Sequence, residues 1–362
     1  MRHLQNIISS IDWVLMIPVG IVVLISLSTL FSIDPAYFKS QFFFLILSIF
    51  AFIFFSQINP VILGQYKIPI YLASIFLLFV ILVLGIESRG SVRWLEILGV
   101  RFQFSEILKP FLAVSLASFL SEKHTRSFSS FVSVFIFLVP IAVLIFLQPD
   151  LGNALIYVGV VVLTLITFGF SIKYFILGFI AWLLSLPFFW LTLHDYQRER
   201  ILVFLNPSND PLGKSYNAIQ SVIAVGSGSL IGKGLGQGTQ SVLKFLPEHH
   251  TDFIFATIAE EFGFIGSAII ILAFAFLLYR IYLIYQNQSD NFSQIFTMIA
   301  FFIIFIHFFI NVGMNIGLVP VVGVTLPFIS YGGASLLSNF ILLGLLFAVN
   351  RSSSRHDVLE IR

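Results

Sequence analysis

A run of polar residues leads directly into an apolar stretch at Leu246-Pro247-Glu248-His249-His250-Thr251-Asp252-Phe253-Ile254-Phe255. This order places the Asp252 carboxylate at a boundary between membrane and water, where partial desolvation raises the pKa of a carboxyl group towards the range of a general base. Helix capping and an interaction with the helix dipole stay open as alternative roles for Asp252. The adjacent His249 and His250 lack the i, i+4 spacing of a helical zinc site, which argues against metal binding by this pair.

Glycine is concentrated just before this motif, in Gly226-Ser227-Gly228-Ser229-Leu230-Ile231-Gly232-Lys233-Gly234-Leu235-Gly236-Gln237-Gly238. Glycine lets backbone N–H groups approach a ligand closely, and Lys233 adds a cation among them. The run therefore indicates a site for phosphate or pyrophosphate, although it is neither a Walker A motif nor a dinucleotide fingerprint. A flexible linker is the alternative interpretation.

Carboxylates also occur inside apolar stretches, where a charged group is costly and is a functional candidate by default. Glu260 and Glu261 lie about two helical turns into one such stretch, and a purely structural partnership is the alternative for both. Glu106 and Lys109 are spaced i, i+3 and so share one helix face. These two either neutralise each other, or Lys109 holds an anionic substrate while Glu106 tunes it.

Three further features favour structural roles. Asp150, in Gln148-Pro149-Asp150-Leu151-Gly152, suits a turn and a helix start. His307 stands alone on a Phe-rich stretch and is predicted to be a packing residue whose ring nitrogens are satisfied by hydrogen bonds. Pro320, Pro327 and Gly332 interrupt an apolar region, and irregular backbone of this kind is tolerated where it is buried or lines a cavity.

These groups belong to a chain of 362 residues that is 58% hydrophobic and 10% charged. A typical globular protein carries about 25% charged residues, so the composition predicts a polytopic membrane protein that is solvated by lipid. The net charge of +2 offers no large basic face for nucleic acid. Because cysteine is absent from the sequence, disulfides and Cys-based nucleophiles or metal sites are excluded.

A helix needs about 20 apolar residues to cross the hydrocarbon. Ten runs approach that length, namely 11–31, 41–58, 68–87, 105–121, 131–148, 151–168, 173–192, 253–283, 294–316 and 332–349. We therefore predict an all-α fold with ten transmembrane helices. Residues 1–362 form a single domain with one large loop at 193–251, between spans 7 and 8. Loop cations divide almost equally between the two sides, so charge does not decide the orientation. Those of one side gather in 88–104 and 193–251, which indicates either a ligand or simple solvation of the loops.

Several of these motifs, in this order, resemble the SEDS family (shape, elongation, division and sporulation), whose members build the bacterial cell wall. The resemblance rests on Phe102-Gln103-Phe104-Ser105-Glu106-Ile107-Leu108-Lys109, Gln148-Pro149-Asp150-Leu151-Gly152, Leu205-Asn206-Pro207-Ser208-Asn209-Asp210-Pro211-Leu212-Gly213, Ile219-Gln220-Ser221, the 245–256 motif and Ile329-Ser330-Tyr331-Gly332-Gly333. It extends over about residues 89–345. Details such as Gly232-Lys233-Gly234 are closer to the elongation branch, RodA, than to the division branch, FtsW.

The resemblance implies a peptidoglycan glycosyltransferase in the bacterial cytoplasmic membrane, with cytoplasmic termini and an extracytoplasmic active site. Its substrate would be lipid II and its partner a class B penicillin-binding protein. The family pattern places the essential acid at Asp252 and counts Glu106 and Lys109 as functionally important.

We predict that Asp252 takes the proton from the acceptor sugar's 4-hydroxyl. The departing undecaprenyl pyrophosphate would be neutralised by some of Lys109, Arg101, Arg200 and Lys233, with help from a divalent cation, Mg²⁺ or Mn²⁺. No organic cofactor is expected. Further substrate-binding side chains are predicted at Gln220, Gln237, Thr239, His250, Thr251, Ser330 and Tyr331.

Two other functions compete with this one. A flippase for lipid II would also need polar residues inside a helix bundle, although no inverted repeat of the kind common in transporters is evident. A non-catalytic scaffold of the cell-wall elongation complex would use the 193–251 loop for docking and would tolerate changes at Asp252.

Overall fold

Helices occupy the apolar runs of the sequence. The structure, a computed structural model, describes residues 12–88, 91–97, 100–123, 125–210, 213, 215–243 and 245–360. Its helices over these runs are α1 (Trp13–Ile33), α2 (Pro35–Gln57), α3 (Pro60–Gln65), α4 (Lys67–Leu84), α5 (Phe104–Ile107), α6 (Lys109–Ser121), α7 (Phe128–Leu147), α8 (Leu151–Thr167) and α9 (Ile172–Thr192). Towards the C-terminus follow α10 (Asp195–Leu205), α11 (Tyr216–Ser227), α12 (Thr239–Val242), α13 (Ile254–Gln286), α14 (Asn291–Asn315) and α15 (Gly333–Glu360).

Eight of these helices are long and apolar enough to cross a membrane, which confirms the helical membrane fold. The helices α6 and α8 are shorter, with 13 and 17 residues. At about 1.5 Å per residue they rise roughly 20 and 26 Å, against a hydrocarbon core of about 30 Å. The count of ten transmembrane helices therefore stays a prediction.

A small antiparallel sheet interrupts the helical architecture, which the all-α prediction missed. Its strands β1 (Ile86–Ser88), β2 (Ser91–Ile97) and β3 (Val100–Phe102) pair in chain order. The register pairs Ile86 with Trp94 and Glu96 with Arg101. Strands this short give little periodic signal in a sequence dominated by apolar helices.

The helices α14 and α15 form the centre of the bundle. In their spanning stretches 67% and 83% of the residues are buried. The helix α15 packs along α2, where the Phe52 ring meets the rings of Phe340 and Phe347 edge to face. The helix α14 packs against α6, α8 and α13. By contrast, α9 has no buried residue.

The 193–251 segment is not an extended loop, because the helices α10, α11 and α12 lie within it. A 3₁₀ turn at Pro207–Asn209 follows α10. The helix α10 begins with a capping box between His194 and Gln197. This folded segment positions Arg200 and Tyr196 on α10, and Asn217 on α11, next to the beginning of α13.

Candidate active site

A cavity of about 830 Å³ lies beside Asp252. Its polar wall comes from β2, the 149–152 corner, α10 and the 248–252 turn, and its apolar wall comes largely from the second half of α9. The side chains that define this cavity are Arg93, Asp150, Tyr196, Arg200, Asn217, Glu248 and Asp252 on the polar side, and Trp182, Leu186, Phe189 and Trp190 on the apolar side. Such a cavity suits an amphiphile that carries an anionic group and an apolar chain.

Asp252 and Arg200 face the same backbone position. Gly323 has φ +72°, and a Cβ there would lie 3.4 Å from Oδ2 of Asp252 and 3.7 Å from Nη1 of Arg200. Desolvation lowers the pKa of the Arg200 guanidinium, and the charge of Asp252 opposes that shift. The guanidinium carbon also lies 5.5 Å from the centroid of the Tyr196 ring. The cavity thus brings a carboxylate and a guanidinium together.

Asp252 precedes the cap position of the following helix by one residue. The helix α13 begins at Ile254 with Phe253 at the cap position, and the Phe253 side chain makes no capping hydrogen bond. Asp252 is partly buried and lines the cavity. This place in the cavity wall is compatible with the predicted base, which stays a prediction.

The Asp150 corner is both a helix start and part of the cavity wall. Asp150 caps α8 by accepting a hydrogen bond from the backbone N–H of Asn153, which confirms the predicted structural role. Its Oδ2 also accepts from the side chains of Gln103 (2.6 Å) and Asn153 (2.8 Å). Its Oδ1 lies 3.6 Å from Nη1 of Arg93. The Tyr196 hydroxyl donates to the Pro149 carbonyl at 2.7 Å, which ties α10 to this corner.

The 316–332 segment, between α14 and α15, holds the turn that carries Asp252. The Ser330 hydroxyl donates to the Thr251 carbonyl (2.8 Å), and the Tyr331 N–H donates to the His250 carbonyl (2.9 Å). The His250 ring stacks on Tyr37, with 4.4 Å between centroids. Through these contacts, the 316–332 segment stabilises the turn that carries Asp252. The residues involved are His250, Thr251, Ser330 and Tyr331. Pro320 of the same segment lines the cavity.

The glycine-rich run packs against α13, which breaks at Gly263 (φ +70°). The N–H groups of Lys233 and Gly234 donate to the carbonyls of Glu260 and Glu261 at 2.9 and 3.0 Å, and the Phe264 N–H donates to the Ser229 carbonyl. The run therefore satisfies backbone groups that the break leaves without helical partners.

The carboxylates of the buried Glu260 and Glu261 form further hydrogen bonds, several of them to the glycine-rich run. Glu260 accepts hydrogen bonds from Nζ of Lys233 (3.0 Å) and from Thr239, and Glu261 accepts from Ser32 (2.7 Å) and from the Gly236 N–H (2.9 Å). These bonds replace the predicted phosphate cradle, because the amides and the ammonium that would hold an anion are already bonded to glutamates. Gln237, in the same run, is exposed. The structural alternative for Glu260 and Glu261 is the one that the contacts support.

Glu106 and Lys109 form a buried ion pair away from the cavity lining. Nζ of Lys109 lies 2.6 Å from Oε1 of Glu106 and 2.6 Å from Nε2 of His307. All three residues are buried. Because the ammonium donates to His307, the imidazole carries its proton on Nδ1 and donates to the Thr325 carbonyl at 3.2 Å. His307 is thus a buried histidine with a partner for each ring nitrogen, as expected of a satisfied packing residue.

Of the remaining predicted residues, Gln220 does not line this cavity, and the prediction for the Arg101 side chain lies outside the described residues. Gln220 lies on α11 and is absent from the residues that line the cavity. Arg101 lies in β3, and its side chain is outside the described residues. Sequence reasoning missed Arg93, Tyr196 and Asn217. For Arg93 the signal was present, because it is one of the cations gathered in 88–104.

Protein side chains alone form no metal site in the part of the chain that the structure describes. Among the described residues, no three His, Cys, Asp or Glu side chains are grouped to hold a metal ion. Mg²⁺ is usually bound by one or two carboxylates together with substrate phosphates. Glu248 and Asp252 are the carboxylates that could take that part in the cavity.

Comparison with known proteins matches almost the whole chain to one family. Residues 7–355 match the FTSW_RODA_SPOVE model, described as "Cell cycle protein". The chain is 35% identical over 299 residues to the peptidoglycan glycosyltransferase MrdB of Escherichia coli K12, which covers 82% of this chain and 80% of that protein. It is 34% identical over 357 residues to stage V sporulation protein E of Bacillus subtilis 168, covering 94% and 95%. A solved structure on the structural coordination of polymerization and crosslinking by a peptidoglycan synthase complex aligns with a TM-score of 0.83 and 30% identity, covering 94% of this chain and 98% of that one.

Proposed function

The chain belongs to the FtsW, RodA and SpoVE family of cell cycle proteins, and from this membership we propose that it polymerises lipid II into glycan strands as a peptidoglycan glycosyltransferase. The single observation that supports the site is the meeting of Asp252 and Arg200 in a cavity with an apolar wall. A lipid-linked sugar diphosphate needs a base, a cation and an apolar surface together, and this cavity offers all three.

The reaction joins an acceptor sugar to a donor sugar. Asp252 accepts the proton of the acceptor 4-hydroxyl as its oxygen attacks the anomeric carbon of the donor. The new carbon–oxygen bond forms as the bond from the anomeric carbon to the diphosphate breaks, with inversion at that carbon. The electron pair leaves with undecaprenyl pyrophosphate. Asp252 then gives its proton to water.

Arg200 and Arg93 are the cations proposed to neutralise the leaving diphosphate, because both line the cavity. Arg binds phosphate oxygens bidentately, whereas Lys acts as a point charge. Lys109 and Lys233 are bonded to Glu106 and Glu260 instead. A bound Mg²⁺ or Mn²⁺ would supply further positive charge at the diphosphate, held by Glu248 and Asp252 together with the phosphate oxygens.

The setting of the reaction is also part of the proposal. The protein spans the membrane several times, and we place the termini in the cytoplasm and the cavity on the extracytoplasmic side, where the glycan product is needed. A class B penicillin-binding protein is the proposed partner, which would cross-link the strands. The role in elongation rests on motif details such as Gly232-Lys233-Gly234, since MrdB and the sporulation protein match the chain equally well.

The test uses the purified full chain in detergent with lipid II, and glycan products are separated on a gel. The wild type should form strands, and the reaction should be repeated with the penicillin-binding protein present. Asp252→Asn should lower the rate about 10²- to 10⁴-fold, the usual contribution of a positioned base. Asp195→Asn is the matched control, because that carboxylate is exposed on α10 and pairs with Arg198.

Three outcomes separate the competing functions. Detergent removes the bilayer, so a flippase would give no glycan under any of these conditions. A scaffold would form no strands either, and it would bind its partner equally well with Asp252→Asn. Normal polymerisation by folded Asp252→Asn protein would refute the assignment of the base.

A further inference from the structure

The helix α14 carries three polar side chains on one face, at successive i, i+4 positions. His307, Asn311 and Asn315 are 3%, 0% and 0% exposed. His307 contacts Lys109, as described above, and Nδ2 of Asn311 donates to the Val324 carbonyl at 2.6 Å. The face therefore contacts both the buried ion pair and the 316–332 segment. Polar side chains inside a membrane bundle are costly unless they are bonded, so such a set indicates a role beyond packing.

Both asparagines bind the backbone of the proposed base. Nδ2 of Asn311 and Nδ2 of Asn315 each lie 3.0 Å from the main-chain carbonyl oxygen of Asp252. A carbonyl oxygen has two lone pairs, so these two bonds fill its capacity. The peptide group between Asp252 and Phe253 is thus held by α14, which lies outside the 248–252 turn.

Asn315 also takes the place of a missing bond in α13. Its Oδ1 accepts from the Ala256 N–H at 3.1 Å. In a continuous helix that N–H would donate to the carbonyl four residues earlier, which is that of Asp252. The Asn315 carboxamide therefore stands between the Asp252 carbonyl and the Ala256 N–H, and bonds to both. The Ser221 hydroxyl donates to Oδ1 (3.3 Å) and to the carbonyl (3.0 Å) of Asn315, which holds the amide from α11.

We infer that Asn311 and Asn315 are positioning residues for Asp252. By bonding to the Asp252 carbonyl, they prevent α13 from extending back to Asp252. The Asp252 carboxylate therefore stays directed into the cavity. Neither asparagine lines the cavity, so they act through Asp252 and not on substrate. The inference rests on the proposed function, because it concerns the base of that reaction.

The test compares Asn315→Leu and Asn311→Leu with Asn339→Leu. Leu has the same branching and the same number of side-chain heavy atoms as Asn, and it removes the amide. Asn339 is a matched control, because it is 7% exposed on α15 and its Nδ2 bonds to the Ser335 carbonyl of its own helix (2.8 Å). Lipid II polymerisation is measured over a range of substrate concentrations and normalised to the folded fraction from size exclusion and thermal unfolding.

We expect kcat to fall by about 10²-fold in Asn315→Leu and Asn311→Leu, the effect of a displacement near 1 Å in a catalytic group, with KM within about twofold. Asn339→Leu should keep the wild-type kcat. A purely structural role would lower the folded fraction and leave kcat of the folded protein unchanged, and that result would overturn the inference. A rise in KM without a fall in kcat would overturn it as well.

A pair of milder variants, Asn311→Ser and Asn339→Ser, keeps the test decisive if the Leu variants do not fold. Asn311→Ser removes the donor to Asp252 and leaves a small polar side chain that can bond within its own helix. A reduced kcat in Asn311→Ser, with Asn339→Ser normal, supports the inference, and equal kcat in the two variants refutes it. If the wild type itself makes no glycan, the proposed function has failed instead.

Discussion

Arg200 lies in the cavity beside Asp252, unlike Lys109 and Lys233. Its guanidinium faces Asp252 and the Tyr196 ring in the cavity. Lys109 and Lys233 are each bonded to a glutamate, so their charges are already balanced. A substrate diphosphate would therefore meet Arg200 before it meets either lysine.

Replacement of Arg200 should weaken the handling of the diphosphate. A hydrogen bond to a charged group contributes about 1.5–3 kcal/mol, so Arg200→Ala should lower kcat/KM roughly 10- to 100-fold. Arg200→Lys should have a kcat/KM between those of Arg200→Ala and the wild type, because an ammonium cannot bind two phosphate oxygens in parallel. Steady-state polymerisation measures both variants, with Arg126→Ala as a control at the Phe168 ring. A wild-type kcat/KM for Arg200→Ala would contradict this role.

The buried pair of Glu106 and Lys109 illustrates how charge is carried inside the bundle. Removing one member leaves the other buried without compensation, which costs about 3–5 kcal/mol, whereas removing both can be nearly neutral. Glu106→Gln should therefore lower the thermal unfolding midpoint more than the double variant Glu106→Gln/Lys109→Met does. Unfolding followed in detergent gives the comparison. If the double variant is as stable as the wild type and yet inactive, the pair contributes to activity beyond its effect on stability.

At the level of elements, the broken helix α13 and the glycine-rich run depend on each other. Gly228 and Gly232 lie so close to α13 that a Cβ on either would overlap a backbone carbonyl, of Ala259 and Glu261 respectively. Glycine is needed at these positions for close approach between two backbones, not for approach to a ligand.

Gly228→Ala should destabilise the protein, because the carbonyl it meets cannot move without breaking the contact. Overpacking of this kind typically costs about 1–3 kcal/mol, which a thermal unfolding curve detects. Gly226→Ala is the matched control, since a Cβ there meets no atom within 4 Å and the residue lies in α11. In a helix interior, Ala is favoured over Gly by about 1 kcal/mol, so Gly226→Ala should be neutral or stabilising. Equal losses in the two variants would contradict the proposed packing.

At the scale of the whole molecule, the spanning helices differ sharply in how much of their surface the protein covers. The spanning stretch of α15 is 83% buried, whereas that of α9 is 0% buried. The helix α9 nevertheless supplies the apolar wall of the cavity beside Asp252. Apolar side chains on its remaining surface, such as Leu184 and Phe188, are exposed, so we expect lipid to solvate that surface.

A carbene reagent dissolved in the lipid phase should therefore label α9 several-fold more densely than α15 in reconstituted vesicles. Peptide mapping by mass spectrometry gives the labelling density of each helix. Labelling after denaturation in sodium dodecyl sulfate corrects for the intrinsic reactivity of the side chains. Similar labelling of the two helices in the folded protein would show that another surface covers α9.

The sequence alone determined the membrane class, the places of the apolar helices and the position of Asp252, because hydrophobic runs and polar-to-apolar boundaries are local patterns. The motifs of the 205–256 region were also sufficient to indicate the family. In contrast, local patterns could not tell that Lys233 and the glycine amides bond to Glu260 and Glu261, since the partners lie about 30 residues apart.

Only the tertiary structure decided which charged groups share the cavity. Arg93, Asp150, Arg200 and Asp252 come from four separate stretches of the chain, and each has an equally plausible local role as a solvated or capping residue. Asn311 and Asn315 gave no functional signal in the apolar run, although they hold the backbone of Asp252. Hydrogen bonds and ion pairs act over a few ångströms in space, so their partners are set by the packing of helices and not by spacing along the chain.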